Sequence, residues 1–361
     1  SETNMTGIIT VRSDLEGILS PRLEYILFIA DCVISLQQTV EEMATVRTLR
    51  VIKYRISDFE ENPFPFVIGP HGLEIASYFW ESGKEIPYTK ERISTGVERL
   101  DTMLAGGYLR GSSIMITGAP GSAKSSLVGA FAEACCRRGE AVVYISFNEF
   151  PEEITGNLKS IGVILEPYRK SGLLQIYSAR PKSTSVEEHW MRISRIVEKS
   201  GAKHIIVDPV TALLKAGSAL IALSAAERLL YFAKQRGITF LCVNPSFAHG
   251  AEPQMESVPR EFSTMVDTWI HTSYYIRGGE RNRAISIIKS RSTDHSNQVR
   301  EIIITSKGIT LADAYTAAGD VLMGTLRREK EMDEEAERER IRAEMDRKLT
   351  ALDAEEAELK G

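Results

Sequence analysis

The sequence predicts an α/β protein with a central, mostly parallel β-sheet and an extended helix at its C-terminal end. Three observations support this prediction. Strand and helix patterns alternate along residues 94–325, as in proteins whose parallel strands are connected by helices. A segment near the start of the chain recurs 236 residues later without a gap. Residues 326–361 are highly charged and carry apolar residues at helical spacing.

The predicted elements alternate regularly through the central part of the chain. Strand patterns lie at 113–117, 140–147, 173–179, 204–209 and 238–246, and helix patterns lie at 125–139, 151–162, 185–200 and 219–236. After Arg260 the strands follow one another directly, which predicts an antiparallel meander. Residues 1–75 are predicted to be mostly strand, with apolar runs at 22–36 and 48–56, and residues 76–93 form a polar linker.

The repeat indicates a duplicated domain whose first copy is incomplete. An aspartate, a Lys-x-Arg triplet, apolar strand positions and a turn glycine keep one offset: Asp31, Ile34, Ile52, Lys53, Arg55, Ile68 and Gly72 recur as Asp267, Ile270, Ile288, Lys289, Arg291, Ile304 and Gly308. A spacing of 236 residues suits duplicated domains rather than short solenoid units. Because about 30 residues precede Asp31, we expect residues 1–75 to be the C-terminal remnant of a first domain, with uncovered strand edges.

Composition excludes several classes of protein. The hydrophobic content of 43% is that of a globular protein, so extensive disorder is excluded. The four cysteines, Cys32, Cys135, Cys136 and Cys242, have neither a disulfide-framework nor a zinc-ligand spacing, and they fit the reducing cytoplasm. No apolar run approaches the roughly 18–20 residues that span a bilayer. The first residues, SETNMTG, lack the pattern of a secretory signal, so we expect no membrane association.

The negative charge is concentrated at the C-terminal end. The formal net charge of the chain is −5. Residues 327–361 contain nine basic and thirteen acidic residues, a net charge of −4, so the rest of the chain is nearly neutral at −1. Non-specific nucleic-acid binding depends on a basic surface. This charge distribution therefore disfavours a nucleic acid as partner.

A glycine-rich segment, GAPGSAKS, follows the strand at 113–117 and precedes an amphipathic helix. This setting is that of a P-loop, in which backbone N–H groups and the positive end of a helix bind phosphate oxygens. Lys124 is predicted to reach the β- and γ-phosphates and the Ser125 hydroxyl to coordinate Mg²⁺, so ATP or ADP with Mg²⁺ is the expected cofactor. The predicted nucleotide-binding residues of this segment are Gly118, Gly121, Ser122, Ala123, Lys124, Ser125 and Ser126. The alternative is a Gly/Ser-rich turn that only caps a helix.

Ala123 stands where the P-loop pattern has a glycine. If the backbone at this position needs a positive φ, alanine costs about 1 kcal/mol. If the residue is helical, alanine costs nothing. The sequence leaves both conformations open.

Three polar residues at predicted strand ends complete a candidate site for phosphoryl transfer. The strand HIIVD ends in Asp208, a Walker B pattern, in which the aspartate holds the Mg²⁺ shell through water or Ser125. Glu149 follows another strand and is a candidate base for water or a hydroxyl. Alternatively, Glu149 only interacts with the positive end of a helix that begins at Pro151. Asn244 ends a further strand, where it either senses the γ-phosphate or is an ordinary turn residue.

These motifs resemble the RecA-like ATPases and, among them, the KaiC-like proteins of the circadian clock. The run STGVERLD at 94–101, the glycines at 106 and 107, the P-loop and the strand that ends in Asp208 carry the resemblance, which covers nearly everything before the charged tail. KaiC-like ATPases are tandem duplications, which accounts for the repeat. The resemblance implies a RecA-like P-loop NTPase fold, with a complete ATPase domain at 94–325 and the end of a preceding one at 1–75.

The resemblance also implies a hexameric ring with ATP bound between neighbouring subunits. In such rings a Lys-x-Arg pair of one subunit reaches the γ-phosphate held by the next. The matching residues are Lys289 and Arg291, and in the truncated copy Lys53 and Arg55. Such cations stabilise the charge on the phosphoryl group during its transfer. Without the resemblance they would be ordinary charges beside a strand.

A neighbouring Ser-Thr pair resembles the site at which the family phosphorylates and later dephosphorylates itself. The matching residues are Ser263 and Thr264. The corresponding positions in the first copy are Leu27 and Phe28, so the hydroxyl pair is not repeated. Each phosphate would add about −1.5 to −2 charges near a subunit boundary. Without the resemblance, this pair would be an ordinary loop at the start of a strand.

One residue departs from the family pattern at the predicted base. The family has paired glutamates where this chain has Asn148 and Glu149, and the first of them serves as general base. Asn148 cannot take a proton, which leaves Glu149 as the substitute. Phosphoryl transfer depends mainly on positioning and charge stabilisation. The sequence therefore supports nucleotide binding more strongly than kinase activity.

The C-terminal tail is a second feature that departs from the family pattern. Apolar residues form a helical stripe among charged ones: Ile341, Met345, Leu349, Leu352 and Leu359. The stripe resembles the extended C-terminal helix of longer KaiC-like proteins, which pairs two rings through coiled coils. This implies that KaiA is not a partner, whereas a KaiB-like protein remains one candidate. The alternative is a single solvated helix.

The sequence therefore predicts a hexameric, KaiC-like timing protein that hydrolyses Mg·ATP and is a Ser/Thr autokinase. The predicted catalytic residues are Lys124, Glu149, Lys289 and Arg291. One alternative is an ATP-gated signalling or scaffold ring that hydrolyses ATP without phosphorylating itself. Another is a DNA-dependent ATPase of the RecA/RadA type, which the nearly neutral body disfavours.

Overall fold

The computed structural model describes twelve segments of the chain: 6–12, 24–41, 44–69, 72–75, 89–180, 185–215, 219–245, 260–277, 279–291, 294–313, 315–317 and 320–360. The strands are β1 Cys32–Glu41, β2 Ala44–Tyr54, β3 Phe64–Gly69, β4 Gly72–Ile75, β5 Arg92–Ile93, β6 Tyr108–Leu109, β7 Ser113–Gly118, β8 Val142–Ser146, β9 Leu174–Ser178, β10 His204–Asp208, β11 Thr239–Pro245, β12 Thr268–Arg277, β13 Glu280–Ser290, β14 Arg300–Thr305, β15 Gly308–Ala312, β16 Tyr315–Ala317 and β17 Asp320–Leu322. The helices are α1 Glu24–Ile29, α2 Glu98–Met103, α3 Lys124–Arg137, α4 Pro151–Ser160, α5 Glu166–Ser171, α6 Val186–Ser200, α7 Ala219–Gln235, α8 Arg260–Met265 and α9 Gly324–Lys360, with a 3-10 helix at Val210–Lys215.

A nine-stranded sheet forms the centre of the molecule, in the order β15-β14-β13-β12-β7-β11-β10-β8-β9. The six strands from β12 to β9 in that order are parallel, and β13, β14 and β15 extend the sheet as an antiparallel meander. One apolar core lies between the sheet and α3 with α4, and a second lies between the opposite face and α6 with α7. The predicted α/β class with a mostly parallel central sheet is confirmed.

The repeated segment forms a separate four-stranded antiparallel sheet in the order β1-β2-β3-β4. Strand β3 lies against α6, and Phe66 of β3 is buried. Arg195 of α6 forms an ion pair with Glu74 of β4. One of the two outer strands of this sheet, β1, pairs only with β2 among the described residues.

The prediction of strand across the apolar run at 22–36 was wrong in part. Residues 24–29 form helix α1, and the strand begins only at Cys32. A short apolar run has no periodicity long enough to separate a helix from a strand. The first two residues of this run, and residues 76–88 of the predicted linker, lie outside the described part of the chain. The described end of that linker contains β5, which pairs with β6.

Helix α9 begins beside two carboxylates of the antiparallel meander, Glu280 of β13 and Glu301 of β14, which we call the socket. Glu301 of β14 accepts a hydrogen bond from Arg327 Nε at 2.8 Å and one from the Gly324 backbone N–H at 3.1 Å. Both charged side chains are buried, and Arg327 also bonds Glu331 at 2.6 Å. Thirty-seven residues correspond to about 55 Å of helix.

The predicted apolar stripe of the tail is described only in part. Ile341 and Met345 are exposed on α9, whereas the side chains of the three leucines of the stripe lie outside what the structure describes. No helix in the described ranges combines the length and the apolar character needed to cross a membrane.

Candidate active site

The predicted phosphate-binding residues lie at one edge of the central sheet. The P-loop follows β7, Glu149 follows β8, Asp208 ends β10, and Asn244 is the second-last residue of β11. These four strands are parallel neighbours, so their carboxyl ends meet at the same edge. In open α/β sheets, ligands bind in the crevice at this edge.

The P-loop backbone needs glycine at two positions where other parts of the chain approach closely. Gly118 has φ 152°, and a Cβ there would lie 2.1 Å from the Thr272 carbonyl oxygen. Gly121 has φ 77°, and a Cβ there would lie 2.6 Å from the Tyr274 hydroxyl. Strand β12 therefore supports the loop from behind.

Ala123 occupies the left-handed region, with φ 82° and ψ 15°, immediately before α3. Of the two conformations that the sequence left open, the structure has the one that favours glycine. The cost of alanine there is about 1 kcal/mol. The loop keeps its fold in spite of this cost.

Lys124 is buried inside the loop rather than extended into solvent. Its Nζ donates hydrogen bonds to the carbonyl oxygens of Gly118 and Ala119, both at 2.8 Å. Burial lowers the pKa of Lys124 to about 8, and the nearby charge of Asp208 opposes this shift. A phosphate group would offer the ammonium an anionic partner in place of two neutral carbonyls.

The serines of the loop have different surroundings. Ser122 is buried, and its hydroxyl lies 2.7 Å from the Ala119 carbonyl oxygen and 2.7 Å from Thr272 Oγ1. Ser125 is exposed and Ser126 is half-buried at the start of α3. Ser122 therefore stabilises the loop, while Ser125 is accessible to a ligand.

Asp208 lies at the bottom of the site, where burial raises the pKa of its carboxyl group. Hydrogen bonds from the Ser125 and Tyr144 hydroxyls and the charge of Lys124 oppose the shift. The Tyr144 hydroxyl donates to Asp208 Oδ2 at 3.0 Å. A hydroxyl and a carboxylate beside a phosphate-binding loop are hard oxygen ligands, so this donor set fits Mg²⁺.

Glu149 lies on the same edge and is held through its backbone. Ser146 Oγ accepts from the Glu149 N–H at 3.2 Å, and Ser178 Oγ donates to the Glu149 carbonyl at 2.8 Å. Burial, followed by the charges of Asp208 and Glu153, raises the pKa of its carboxyl group. A raised pKa brings a carboxylate closer to the value suited to a general base.

Asn244 is buried at 1% exposure, yet neither polar atom of its side chain has a partner among the described residues. It pairs in register with Thr117, directly before the P-loop. Buried amides are rarely left without hydrogen bonds. Its position and unmet hydrogen-bonding capacity are those expected of a residue that contacts a ligand.

The second predicted cluster lies at the opposite edge of the sheet. Helix α8 carries Ser263 and Thr264 and ends just before β12, which runs parallel to β7. Lys289 Nζ donates to the carbonyl oxygens of Ser263 at 3.1 Å and Thr264 at 3.4 Å, and Arg291 donates to Thr264 at 2.6 Å. The length of β7, about 16 Å, separates this cluster from the P-loop of the same chain.

We call the arrangement in which Lys289 and Arg291 bond the end of α8 the Lys-x-Arg clamp. The same arrangement recurs in the first copy. Lys53 Nζ donates to the carbonyl oxygens of Leu27 at 2.7 Å and Phe28 at 3.2 Å, and Arg55 donates to Phe28 at 2.6 Å. In both copies the two cations satisfy carbonyl groups in the last turn of a six-residue helix, where helices leave such groups unpaired.

Sequence reasoning missed several residues that shape the site. The most direct is Tyr144, a tyrosine within the aliphatic strand VVYIS, which was the only signal. Tyr274 donates to the Pro120 carbonyl at 3.1 Å, and Arg283 donates to Gly121 at 3.0 Å. These residues come from β12 and β13, more than 150 positions away in the chain, so local patterns could not connect them with the loop.

Comparisons with known proteins agree with this geometry. The chain matches the model of the KaiC ATPase family over residues 1–78 and 93–315. It is 38% identical over 341 residues to the circadian clock protein KaiC2 of Synechocystis sp., an alignment that covers 93% of this chain and 58% of the relative.

Two further relatives are circadian clock oscillator proteins KaiC. The protein of Synechococcus elongatus is 30% identical over 319 residues, which is 87% of this chain and 60% of the relative. That of Parathermosynechococcus lividus is 29% identical over 330 residues, 90% of this chain and 59% of the relative. The chain thus spans about three-fifths of the length of the relatives it matches.

Proposed function

Because this chain belongs to the KaiC family of ATPases, we propose that it binds Mg·ATP at the edge formed by β7, β8, β10 and β11 and hydrolyses it. We further propose that it transfers the γ-phosphoryl group to Ser263 and Thr264 of a neighbouring subunit. The observation that carries the proposal is the convergence of Lys124, Asp208 and Glu149, with their shifted pKa values, around one P-loop. Titratable groups perturbed by burial and by one another mark functional sites.

The residues have separate tasks in this mechanism. Lys124 binds the β- and γ-phosphates, and Asn244 contacts the γ-phosphate. Ser125 and Asp208 would hold Mg²⁺, which neutralises charge on the phosphates when bound. Glu149 accepts the proton of the attacking water or hydroxyl as the new O–P bond forms and the bond to the ADP oxygen breaks.

The separation of the two clusters supports transfer between subunits. Ser263 and Thr264 lie beside the start of β7, whereas the P-loop follows its end. Lys289 and Arg291 lie at the same distant edge. The length of β7, about 16 Å, therefore separates these four residues from the P-loop of their own chain. A ring in which one subunit's α8 edge faces the next subunit's P-loop places them at a shared site.

A second candidate function is an ATP-gated scaffold ring without autokinase activity, and Asn148 favours it. The amide of Asn148 cannot act as a base, so hydrolysis could persist while transfer to a hydroxyl is lost. A DNA-dependent ATPase of the RecA/RadA type is disfavoured because the charge of the chain outside residues 327–361 is only −1.

The assembly that we propose is a cytoplasmic homohexamer with a timing role. Two rings pair through α9, whose exposed Ile341 and Met345 would become buried in a coiled coil. A KaiB-like protein is the partner that this proposal favours, and KaiA is not expected to act. The Lys-x-Arg clamp of the first copy would have the same trans-acting position in its own ring.

Incubation of the full chain with Mg·ATP, followed by intact mass measurement and site mapping, tests the proposal. We expect ADP release and added phosphate on Ser263 and Thr264. Ser263→Ala with Thr264→Ala should keep ADP release and lose the phosphate. Hydrolysis by the unmodified chain without phosphorylation of Ser263 or Thr264 would support the scaffold function instead. The absence of hydrolysis would reject both the autokinase and the scaffold function. DNA-stimulated hydrolysis would favour the RecA/RadA alternative.

A further inference from the structure

Tyr144 has its aromatic ring in the core and its hydroxyl at the candidate metal site. The residue is 2% exposed, and its ring belongs to the core between the sheet and α3. Its hydroxyl donates to Asp208 Oδ2 at 3.0 Å. In the paired strands β8 and β10, Tyr144 lies opposite Ile206 and Ser146 opposite Asp208. Tyr144 therefore reaches Asp208 diagonally, a distance that a long aromatic side chain spans.

Packing alone does not explain the hydroxyl group. A phenylalanine would fill the same space in the aliphatic core without burying a polar atom. A buried hydroxyl costs free energy unless it forms a hydrogen bond, and the partner that this hydroxyl has is the carboxylate of Asp208. Burial also raises the pKa of Tyr144 well above its usual value, so the hydroxyl keeps its proton and acts as a donor.

We propose that Tyr144 is a positioning residue for the metal site, whose hydroxyl fixes the Asp208 carboxylate in the orientation that a nucleotide-bound divalent cation requires. The inference rests on the proposed function, because it assumes that Ser125 and Asp208 hold Mg²⁺. It assigns a task to a residue that the phosphate-binding motifs do not include.

The surroundings of Asp208 give Tyr144 this task. The carboxylate is buried, and its stabilising neighbours are Ser125, Tyr144 and Lys124. Two of these have other roles when nucleotide is bound, since Ser125 would turn its oxygen to the cation and Lys124 its ammonium to the phosphates. Tyr144 comes from a different strand and has no such second role. It is therefore the donor that continues to orient Asp208 in the loaded site.

The test compares two Tyr→Phe variants in the full chain. Tyr144→Phe removes the hydroxyl at Asp208. Tyr177→Phe is the matched control. Tyr177 lies on the neighbouring strand β9, and its hydroxyl is hydrogen-bonded to His189 Nδ1 of α6 at 2.8 Å, away from the metal site. Binding of ADP is measured by calorimetry in EDTA and across a MgCl₂ titration, and again with MnCl₂. Asp208→Asn shows whether the tightening of ADP binding by Mg²⁺ depends on this site.

We expect Tyr144→Phe to keep the ADP affinity measured in EDTA and to need about tenfold more Mg²⁺ for half-maximal tightening, the size typical of lost hydrogen bonds to metal ligands. The half-maximal concentration of Mn²⁺ should differ from that of Mg²⁺, because the two cations bind such sites with different affinities. The ratio of the half-maximal concentrations in Tyr144→Phe and in the unmodified chain should be similar for both cations. Tyr177→Phe should match the unmodified chain with both cations.

Two results would overturn the inference while leaving the metal site in place. One is an unchanged Mg²⁺ titration in Tyr144→Phe, and the other is an equal loss of ADP affinity with and without Mg²⁺, which indicates a merely structural role. If Mg²⁺ fails to tighten ADP binding in the unmodified chain, or still does so in Asp208→Asn, the proposed metal site itself is rejected, and the inference with it.

Discussion

The two copies of the repeated segment have the same local structure in different surroundings. The bounds of α1, β1, β2 and β3 differ from those of α8, β12, β13 and β14 by 236 residues at both ends. The irregularity between Val33 and Ile34 in β1 recurs between Trp269 and Ile270 in β12. Gly72 and Gly308 both have positive φ at the same turn. Strand pairing, bulge and turn are therefore encoded within the segment.

The copies differ in what covers them. Ile270 is fully buried beside β7, whereas its counterpart Ile34 is 54% exposed. Asp267 accepts hydrogen bonds from the Ser113 N–H at 2.8 Å and from Ser113 Oγ at 2.6 Å, whereas the side chain of Asp31 is 73% exposed. Local geometry therefore follows from the segment itself, while burial and stability come from the domain around it.

The Lys-x-Arg clamp is also present in both copies, although the side chains beside it differ. Both copies use the two cations to bond carbonyl groups at the end of a short helix. Only the second copy has hydroxyl side chains at these positions. The clamp therefore has a structural role that does not depend on the Ser-Thr pair.

The largest effect should come from removing the lysine of the P-loop. If all the chemistry lies in the domain that contains the second copy, Lys124→Ala should lower ATP hydrolysis at least about 100-fold, because the charge that stabilises the transferring phosphoryl group is lost. Initial rates of phosphate release measure this change. Lys170→Ala, which removes a lysine side chain that is 75% exposed, is the control and should keep the normal rate. Substantial hydrolysis by Lys124→Ala would place activity elsewhere.

The aspartates at matched positions offer the sharpest comparison of stability. Asp267→Ala should lower the free energy of unfolding by about 2–3 kcal/mol, because Ser113 and Lys234 lose a charged partner in a partly buried site. Asp31→Ala should cost less than about 0.5 kcal/mol, since its ion pair with Arg55 is exposed. Denaturant titrations measure both values. Equal effects would contradict the idea that the surrounding domain sets the difference.

The pH dependence of hydrolysis should report on the domain that contains the second copy, where the two titrating groups lie. Lys124 must be charged to bind phosphate, and its pKa is lowered to about 8, so kcat/KM should fall as pH rises through 8. Glu149 must be ionised to act as a base, and its pKa is raised, so kcat/KM should also fall at acid pH, beginning above the usual range for glutamate. A pH–rate profile measures both limbs. A constant kcat/KM above pH 8 would contradict the role of Lys124.

The clamp should act in both copies. Lys289→Met and Lys53→Met each remove hydrogen bonds to helix carbonyls, worth about 1 kcal/mol net. We expect hydrogen exchange to accelerate by roughly fivefold in the peptide that contains α8 for the first variant and in the peptide that contains α1 for the second. Acceleration in the peptide that contains α8 alone would show that the clamp, unlike the strand pairing, depends on the surrounding domain.

The smallest effect should be a gain. Ala123→Gly removes the cost of a positive φ and should raise the free energy of unfolding by about 0.5–1 kcal/mol. Ala130→Gly, in the interior of α3, should lower it by about 1 kcal/mol or more. Opposite signs in thermal or denaturant unfolding are the expected result. A loss of stability in Ala123→Gly would mean that the left-handed conformation is not costly at this position.

Much of the fold could be predicted because its signals are local. The parallel strands and the helices between them follow from hydrophobic patterns and turn residues, and the repeat gave the offset between the copies. The short helices α1, α2, α5 and α8, with six residues each, were missed because fewer than two turns have no measurable period.

The residues of the site that belong to known motifs could be predicted from the sequence, and the others could not. Lys124, Ser125 and Asp208 belong to a pattern with known spacing, and they lie together at one edge. The conformation of Ala123 and the contact between Tyr144 and Asp208 depend on how distant strands pack against the loop. Such contacts have no sequence signature, because the residues that define them are separated by 64 to 162 positions.

The anchoring of α9 has a mechanical consequence. Its first turn is fixed to the meander by the buried pair of Arg327 and Glu301, while the rest of a helix about 55 Å long projects from that point. A rigid rod of this length converts a tilt of about 10° at its base into a displacement of about 10 Å at its tip. Strands β13 and β14, which supply the socket, belong to the same meander as Lys289 and Arg291. A small tilt of these two strands at the socket would therefore become a large movement at the distant end of the helix.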